Sequence, residues 1–321
     1  MSKSNKNGER KRDLLRRVRK QRLRNIAILP SLITLINGIC GFAAICFTAD
    51  GGDGDISVFK MDMPYFAVSG YLIFIAMIAD MLDGRVARMS HSTSSFGGQL
   101  DSLCDMISFG VAPAFLIFKL LSIKLTDLVN PPVIFSGFVI RLIWLSAAVY
   151  LVCAAIRLAR FNVENEEDET AHMNFIGLPT PAAAGVLASI VVFYEDVLLP
   201  DSRIYISSEL LIIYSLPFIT IGIAVLMISR FTFPHLLNKL LKGRKPLTHL
   251  AWALVIISLI MSSVQTALLV AFCGFTLYGF IKGMLNKMSR KKTVQPPVLN
   301  VTNPPDNSDE LEDSEDETYE D

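Results

Sequence analysis

The chain has 321 residues, 52% of them hydrophobic, a mean hydropathy of +0.45 and a formal net charge of +0. A soluble chain of this length needs no repeated apolar runs of about twenty residues, the length that spans a bilayer; several are present, which excludes a soluble globular protein. The zero net charge conceals opposite ends: residues 1–25 are rich in Lys and Arg, and Asp306–Asp321 is nearly all acidic or small polar.

Residues 1–25 read as a short basic helix or a solvated tail, suited to anionic headgroups or to fixing orientation. No folded reading surface accompanies this charge, so no nucleic-acid partner is expected. No small-residue cleavage pattern follows the apolar run from Ile26, so a signal peptide is not expected either. The first membrane helix is predicted from about Ile26 to Thr48, with Pro30 near its start and Thr34 and Asn37 on one face. The acidic, glycine-rich run from Asp50 to Asp55 reads as a loop. It lacks the closing glutamate of an EF-hand.

A second helix begins near Pro64 and runs past Ala79. A third extends from about Gly97 to Leu121 and a fourth from about Phe138 to Arg160. A polar loop from Glu164 to Glu169 leads to Gly177-Leu-Pro-Thr-Pro181, which opens a fifth helix ending near Leu199. A sixth spans about Leu210 to Ser229, and a basic loop follows. The apolar stretch Leu250–Ile281 is too long for one crossing at ~1.5 Å rise per residue. It divides near Ser262-Ser263 into a seventh and an eighth.

The expected fold is therefore all-α, a polytopic membrane bundle of about eight transmembrane helices. Three regions follow: a basic segment 1–25, a membrane domain 26–288, and a disordered acidic tail 289–321. Lys and Arg lie mostly near one set of helix ends, which places both termini at the cytoplasmic face. The five cysteines are scattered through apolar segments without a CxxC pair, so neither disulfides nor a zinc site are expected.

The chemistry sits between the second and third helices. Asp80, Asp83, Gly84 and Ala87 share one helical face, with Arg88 at its edge; Gly97, Asp101 and Asp105 share a face of the next helix. Carboxylates at membrane depth are costly and mark functional sites. If the two faces meet, the acids repel unless divalent cations bridge them. All-oxygen ligation selects Mg²⁺ or Mn²⁺, with Ca²⁺ also compatible, and one ion or two would serve. Such a site suits a phosphate-bearing substrate, with Arg88 as a planar donor to phosphate and Asp105 as candidate base for an incoming hydroxyl.

The pattern D-x2-D-G-x2-A-R-x8-G-x3-D-x3-D, met here by Asp80, Asp83, Gly84, Ala87, Arg88, Gly97, Asp101 and Asp105, resembles the signature of the CDP-alcohol phosphatidyltransferases. Leu29–Gly38, Phe96–Leu103, Ser108–Ala114, Arg157–Asn162 and Gly177–Gly185 resemble the membrane CDP-diacylglycerol–serine O-phosphatidyltransferases. The likeness covers roughly residues 26–285, with Ser31 standing where that branch usually carries asparagine. The resemblance implies that Asp80, Asp83, Asp101 and Asp105 hold two divalent ions and that Asp105 is the base. It assigns Gly84, Ala87, Arg88, Gly97, Thr34 and Asn37 to the CDP-lipid. It implies CDP-diacylglycerol and L-serine as substrates, phosphatidylserine and CMP as products, a homodimer, and an active site on the cytoplasmic side of the cell (inner) membrane.

A serine zwitterion needs a cation for its carboxylate, and Arg157 and Arg160, with Asn162, end the fourth helix on the expected side. Other acceptors within the family are glycerol 3-phosphate, inositol phosphate and choline. An intramembrane prenyltransferase would place its Asp motifs in distant repeats, and an ion-coupled transporter would show inverted repeats. Neither arrangement is present.

Overall fold

The computed structural model describes residues 31–51, 55–58, 61–90, 95–128, 133–167, 177–198, 205–229 and 263–291. The basic segment 1–25, the stretch 230–262 with the expected seventh crossing, the acidic tail beyond Lys291, and the side chains of Ala87 and Arg88 lie outside the described residues. The chain divides into two compact units, Met1–Met284 and Leu285–Asp321, and the site lies in the first.

Helix α1 spans Ser31–Asp50. A two-stranded antiparallel hairpin follows, β1 (Asp55–Val58) and β2 (Met61–Pro64). Of the loop expected from Asp50 to Asp55, Asp50 is the last residue of α1 and Asp55 the first of the hairpin. Then come α2 (Tyr65–Ser90), α3 (Ser95–Asp105), a π-helical segment (Met106–Val111) and α4 (Ala112–Leu128). The remaining helices are α5 (Val133–Glu167), α6 (Thr180–Phe193), α7 (Tyr205–Ile228) and α8 (Val264–Lys291). A second π-helical turn, Tyr194–Leu198, closes α6. Helix α8 begins immediately after Ser263, where the long apolar stretch was expected to divide. Helix α5 outruns its expected end because Glu164–Glu167 continue it, glutamate being a good helix former.

Six described helices are long and apolar enough to cross a membrane, and Tyr214–Ile228 is a shorter apolar helix. Their outer faces are rich in exposed Leu, Ile and Phe, for example Ile39, Ile78, Phe218 and Leu277. Water would not tolerate such faces, whereas lipid does. The protein is an all-α polytopic membrane protein.

Small residues set how closely the helices approach, as membrane bundles require. On α1, Thr34, Asn37, Gly38 and Gly41 follow helical spacing; Gly38 meets α3 and Gly41 meets the π-helical segment that continues it. A Cβ on Gly38 would stand 2.9 Å from Cys104 Sγ, and one on Gly41 would stand 2.6 Å from the Ser108 Cα. Gly70 of α2 packs on Val192 of α6, and Gly185 of α6 receives the ring of Phe272 from α8.

The π-helical segment has a local cause. Pro113 has no amide hydrogen, so the carbonyl four residues earlier, on Phe109, loses its helical donor. The fully buried Tyr150 of α5 donates its hydroxyl to that oxygen at 3.0 Å. At the far end of the bundle a polar knot ties four helices. Tyr71 and Gln265 donate to Asp196 Oδ2 at 2.7 and 3.3 Å, and Lys124 Nζ lies 3.9 Å from Glu195 Oε1. The opposite end carries the α2–α3 acids.

Gly41→Ala should force α1 away from the π-helical segment, because its new carbon meets the Ser108 backbone, which cannot rotate aside. A loss of about 1–3 kcal/mol is expected, the usual scale of overpacking. Thermal unfolding in detergent measures it, and an unchanged midpoint would contradict the close approach.

Candidate functional site

Helix α2 carries Asp80 and Asp83 near its end, and α3 carries Asp101 and Asp105 one turn apart. The two helices bring Asp80, Asp101 and Asp105 together. One carboxylate oxygen from each lies within 4.8 Å of the other two. Asp83 is not in that group: it is 4% exposed and accepts a hydrogen bond from Thr34 on α1.

Helix α1 also reaches Asp105. Asn37 is fully buried and donates from Nδ2 to Asp105 Oδ1 at 2.8 Å. Ser108 donates to the backbone carbonyl of Asn37 at 2.8 Å, completing an interlock between α1 and the π-helical segment. Thr34 and Asn37 thus meet the acids directly.

Among the described residues no cation forms an ion pair with any of the four carboxylates. Asp83 Oδ2 and Asp101 Oδ1 are buried with no hydrogen-bond partner. Burying a polar atom without a partner costs about 1–3 kcal/mol, and more for a charged one. A divalent cation would satisfy these oxygens, and a set made wholly of carboxylates fits Mg²⁺, Mn²⁺ or Ca²⁺ rather than a soft metal. The residues present therefore fit a hard metal ion.

Space lies beside the acids. Among the described residues, a Cβ on Gly84 or Gly98 would meet nothing within 4 Å, so their packing does not require glycine at either position. Gly97, next to Gly98, is half-buried. In these respects Gly84 and Gly98 are the opposite of Gly38 and Gly41.

The end of α5 reaches the same region. Ser102, the residue after Asp101, donates to Asn162 Oδ1 at 2.9 Å. Arg157 and Arg160 are half-buried on the preceding turns. Arg157 lies beside the turn before α6: its Nη1 is 3.1 Å from where a Cβ of Gly177 would stand. Gly177 has φ +87, a conformation that favours glycine, and a Cβ there would also strike carbonyls at the end of α7. Leu178 N–H then donates to Leu226 O at 3.1 Å, satisfying one terminal carbonyl of α7. The Gly177-Leu-Pro-Thr-Pro segment is therefore a clasp that joins α5, α6 and α7 at this end.

Several features of the site escaped the sequence reading, the Asn37–Asp105 and Thr34–Asp83 bonds among them. The packing role of Gly38 and Gly41 had a signal in their helical spacing with Thr34 and Asn37. The Ser102–Asn162 contact had none, since it joins residues sixty positions apart.

The description CDP-alcohol phosphatidyltransferase matches residues 27–227 of the chain. The chain is 30% identical over 218 residues to a CDP-diacylglycerol–serine O-phosphatidyltransferase of Methanocaldococcus jannaschii, covering 68% of this chain and 79% of the relative. It is 31% identical over 230 residues to the enzyme of that name from Helicobacter pylori strain 26695, with 71% and 85% covered. A Bacillus subtilis relative of the same name is 29% identical over 209 residues, with 64% and 90% covered.

Mn²⁺ should raise the thermal midpoint of the purified protein, because binding to the folded state alone adds about 2.7 kcal/mol at a hundredfold excess over Kd. Asp101→Asn should abolish that shift while leaving the metal-free midpoint at or above wild type, one like charge having been removed. An equal Mn²⁺ shift in both proteins would contradict the site.

Proposed function

Because the chain belongs to the CDP-alcohol phosphatidyltransferase family, we propose that it transfers a phosphatidyl group from CDP-diacylglycerol to the hydroxyl of L-serine, giving phosphatidylserine and CMP. The observation that carries this reading is the meeting of Asp80, Asp101 and Asp105 from two helices, with Asp101 Oδ1 and the neighbouring Asp83 Oδ2 buried without a hydrogen-bond partner. The names of the relatives support serine as the acceptor.

Asp80, Asp83, Asp101 and Asp105 would hold the divalent ions, two Mg²⁺ or Mn²⁺. Bound there, such ions neutralise charge on the diphosphate and on the leaving phosphate. The protein's own groups do the rest. Gly84 leaves open space where the nucleotide approaches, flanked by Gly97, with Ala87 and Arg88 completing the motif on α2. Thr34 and Asn37 act on this side of the site through the carboxylates they touch. Asp105 takes the proton from the serine hydroxyl. The serine oxygen forms a bond to the β-phosphorus, the bond from that phosphorus to the bridging oxygen breaks, and CMP leaves with the electron pair.

The serine carboxylate is met by Arg157 or Arg160, with Asn162 beside them. Support comes from the Ser102–Asn162 bond, which holds the end of α5 against the residue after Asp101. The same reading places the carboxylates at the cytoplasmic face of the cell membrane, with both termini on that side, because the Lys and Arg of the loops gather there. It takes 26–288 as the membrane domain of a homodimer, with 1–25 and 289–321 as flanking segments.

Purified protein given CDP-diacylglycerol and a panel of acceptor alcohols should release CMP with serine, and Asp105→Asn should lower turnover by at least about a hundredfold, the scale of lost acid–base catalysis. Preference for glycerol 3-phosphate, inositol phosphate or choline would move the protein to another branch. Wild-type turnover in Asp105→Asn would remove the base assignment. Arg157→Ala or Arg160→Ala should raise the KM for serine by about tenfold or more, the weight of one charge-assisted contact, with little change for the CDP-lipid. Unchanged serine kinetics in both variants would exclude them from the serine site.

A further inference from the structure

The resemblance assigns Asn37 to the CDP-lipid, but its position argues for a different task. Asn37 is fully buried, its Nδ2 donates to Asp105 Oδ1 at 2.8 Å, and its backbone carbonyl accepts from Ser108 at 2.8 Å. Its Oδ1 has no hydrogen-bond partner. A carboxylate only accepts, so the amide faces Asp105 with its nitrogen even though its own oxygen is left unsatisfied. The orientation is set by the acid.

We infer that Asn37 is a positioning residue for Asp105, fixing the carboxylate so that its Oδ2 is the oxygen offered to the acceptor hydroxyl. The inference rests on the reading of Asp105 as base.

The terminal torsion of an aspartate is broad and nearly two-fold, so an untethered carboxylate presents either oxygen over a wide range of angles. A charge-assisted bond to one oxygen removes that freedom. The donor is itself immobile. Asn37 sits between Thr34 and Gly38 on the face of α1 that lies against α3, and Gly38 and Gly41 bring the two backbones close. The Ser108 hydroxyl ties α1 to the residue one turn beyond Asp105. The base is therefore held from a third helix, not by the two that supply the carboxylate group. Proton transfer needs close alignment, and a displacement near 1 Å costs about a hundredfold in rate.

The test compares Asn37→Ala, the near-isosteric Asn37→Leu, and Ser108→Ala in full-length protein in detergent. CDP-lipid KM, serine KM, kcat and thermal midpoint are measured for each. Asn37→Ala should lower kcat by about 30–100-fold with the CDP-lipid KM within about threefold, and Asn37→Leu, which has no donor, should also lower kcat while retaining much of the shape of the side chain. Ser108→Ala loosens the same helix contact but leaves the Asn37 amide on Asp105, so its midpoint should fall while kcat falls by clearly less than in Asn37→Ala. A raised CDP-lipid KM with retained kcat in Asn37→Ala would make Asn37 a lipid contact and overturn the inference. Parallel losses of kcat and midpoint in Asn37→Ala and Ser108→Ala would reduce it to packing. If Asn37→Ala does not fold, wild-type kcat in Asn37→Leu, which fills the space but has no donor, overturns the inference on its own. Retained turnover in Asp105→Asn would instead mean that the base reading itself has failed.

Discussion

Acid groups held close together inside an apolar bundle constrain everything around them. Asp80, Asp101 and Asp105 place oxygens within 4.8 Å of one another, and Asp83 is buried nearby. In a medium of low dielectric such charges repel strongly and lose their water. Hydrogen bonds from Thr34 and Asn37 offset part of that cost, and the remaining oxygens call for a cation. A bundle that keeps such a cluster gives up stability for a binding site. The polar knot at the far end differs in kind, because a cation is part of it: Lys124 lies beside Glu195, while Asp196 accepts from Tyr71 and Gln265.

The scaffold around the cluster is arranged to hold it still. Two helices supply the acids, but a third, α1, is drawn onto α3 by Gly38 and onto the π-helical segment by Gly41, and delivers Asn37 to Asp105 and Thr34 to Asp83. Directly beyond Asp105 the helix changes to a π-helical turn, traceable to the missing amide hydrogen of Pro113. Tyr150 answers the freed carbonyl of Phe109 and so anchors this irregular turn to α5. Two uses of glycine stand side by side. Gly38 and Gly41 admit a neighbouring helix, while Gly84 and Gly98 adjoin open space.

How much of this could be read from residues alone depends on the range of the interaction. Helix positions followed from apolar runs, and the break before Val264 fell where the stretch became too long to cross once. The shared face of Asp101 and Asp105 followed from helical period, as did that of Asp80 and Asp83, yet Asp83 turned to Thr34 rather than into the group of three. Helical period fixes direction about one axis only; the neighbour that α1 provides is set by packing between distant segments. The same limit hid the Asn37–Asp105 bond, which joins residues sixty-eight apart. Glu164–Glu167 misled in the other direction, because polarity suggested a loop where helix propensity prevails.

The account stands on a divalent ion seated among Asp80, Asp101 and Asp105. Crystals of the protein grown with Mn²⁺ and measured near the manganese absorption edge test this directly. The account predicts an anomalous scattering peak in contact with oxygens of these three carboxylates. Saturating Mn²⁺ that leaves no peak there, or a peak only at some other place on the protein, would contradict it.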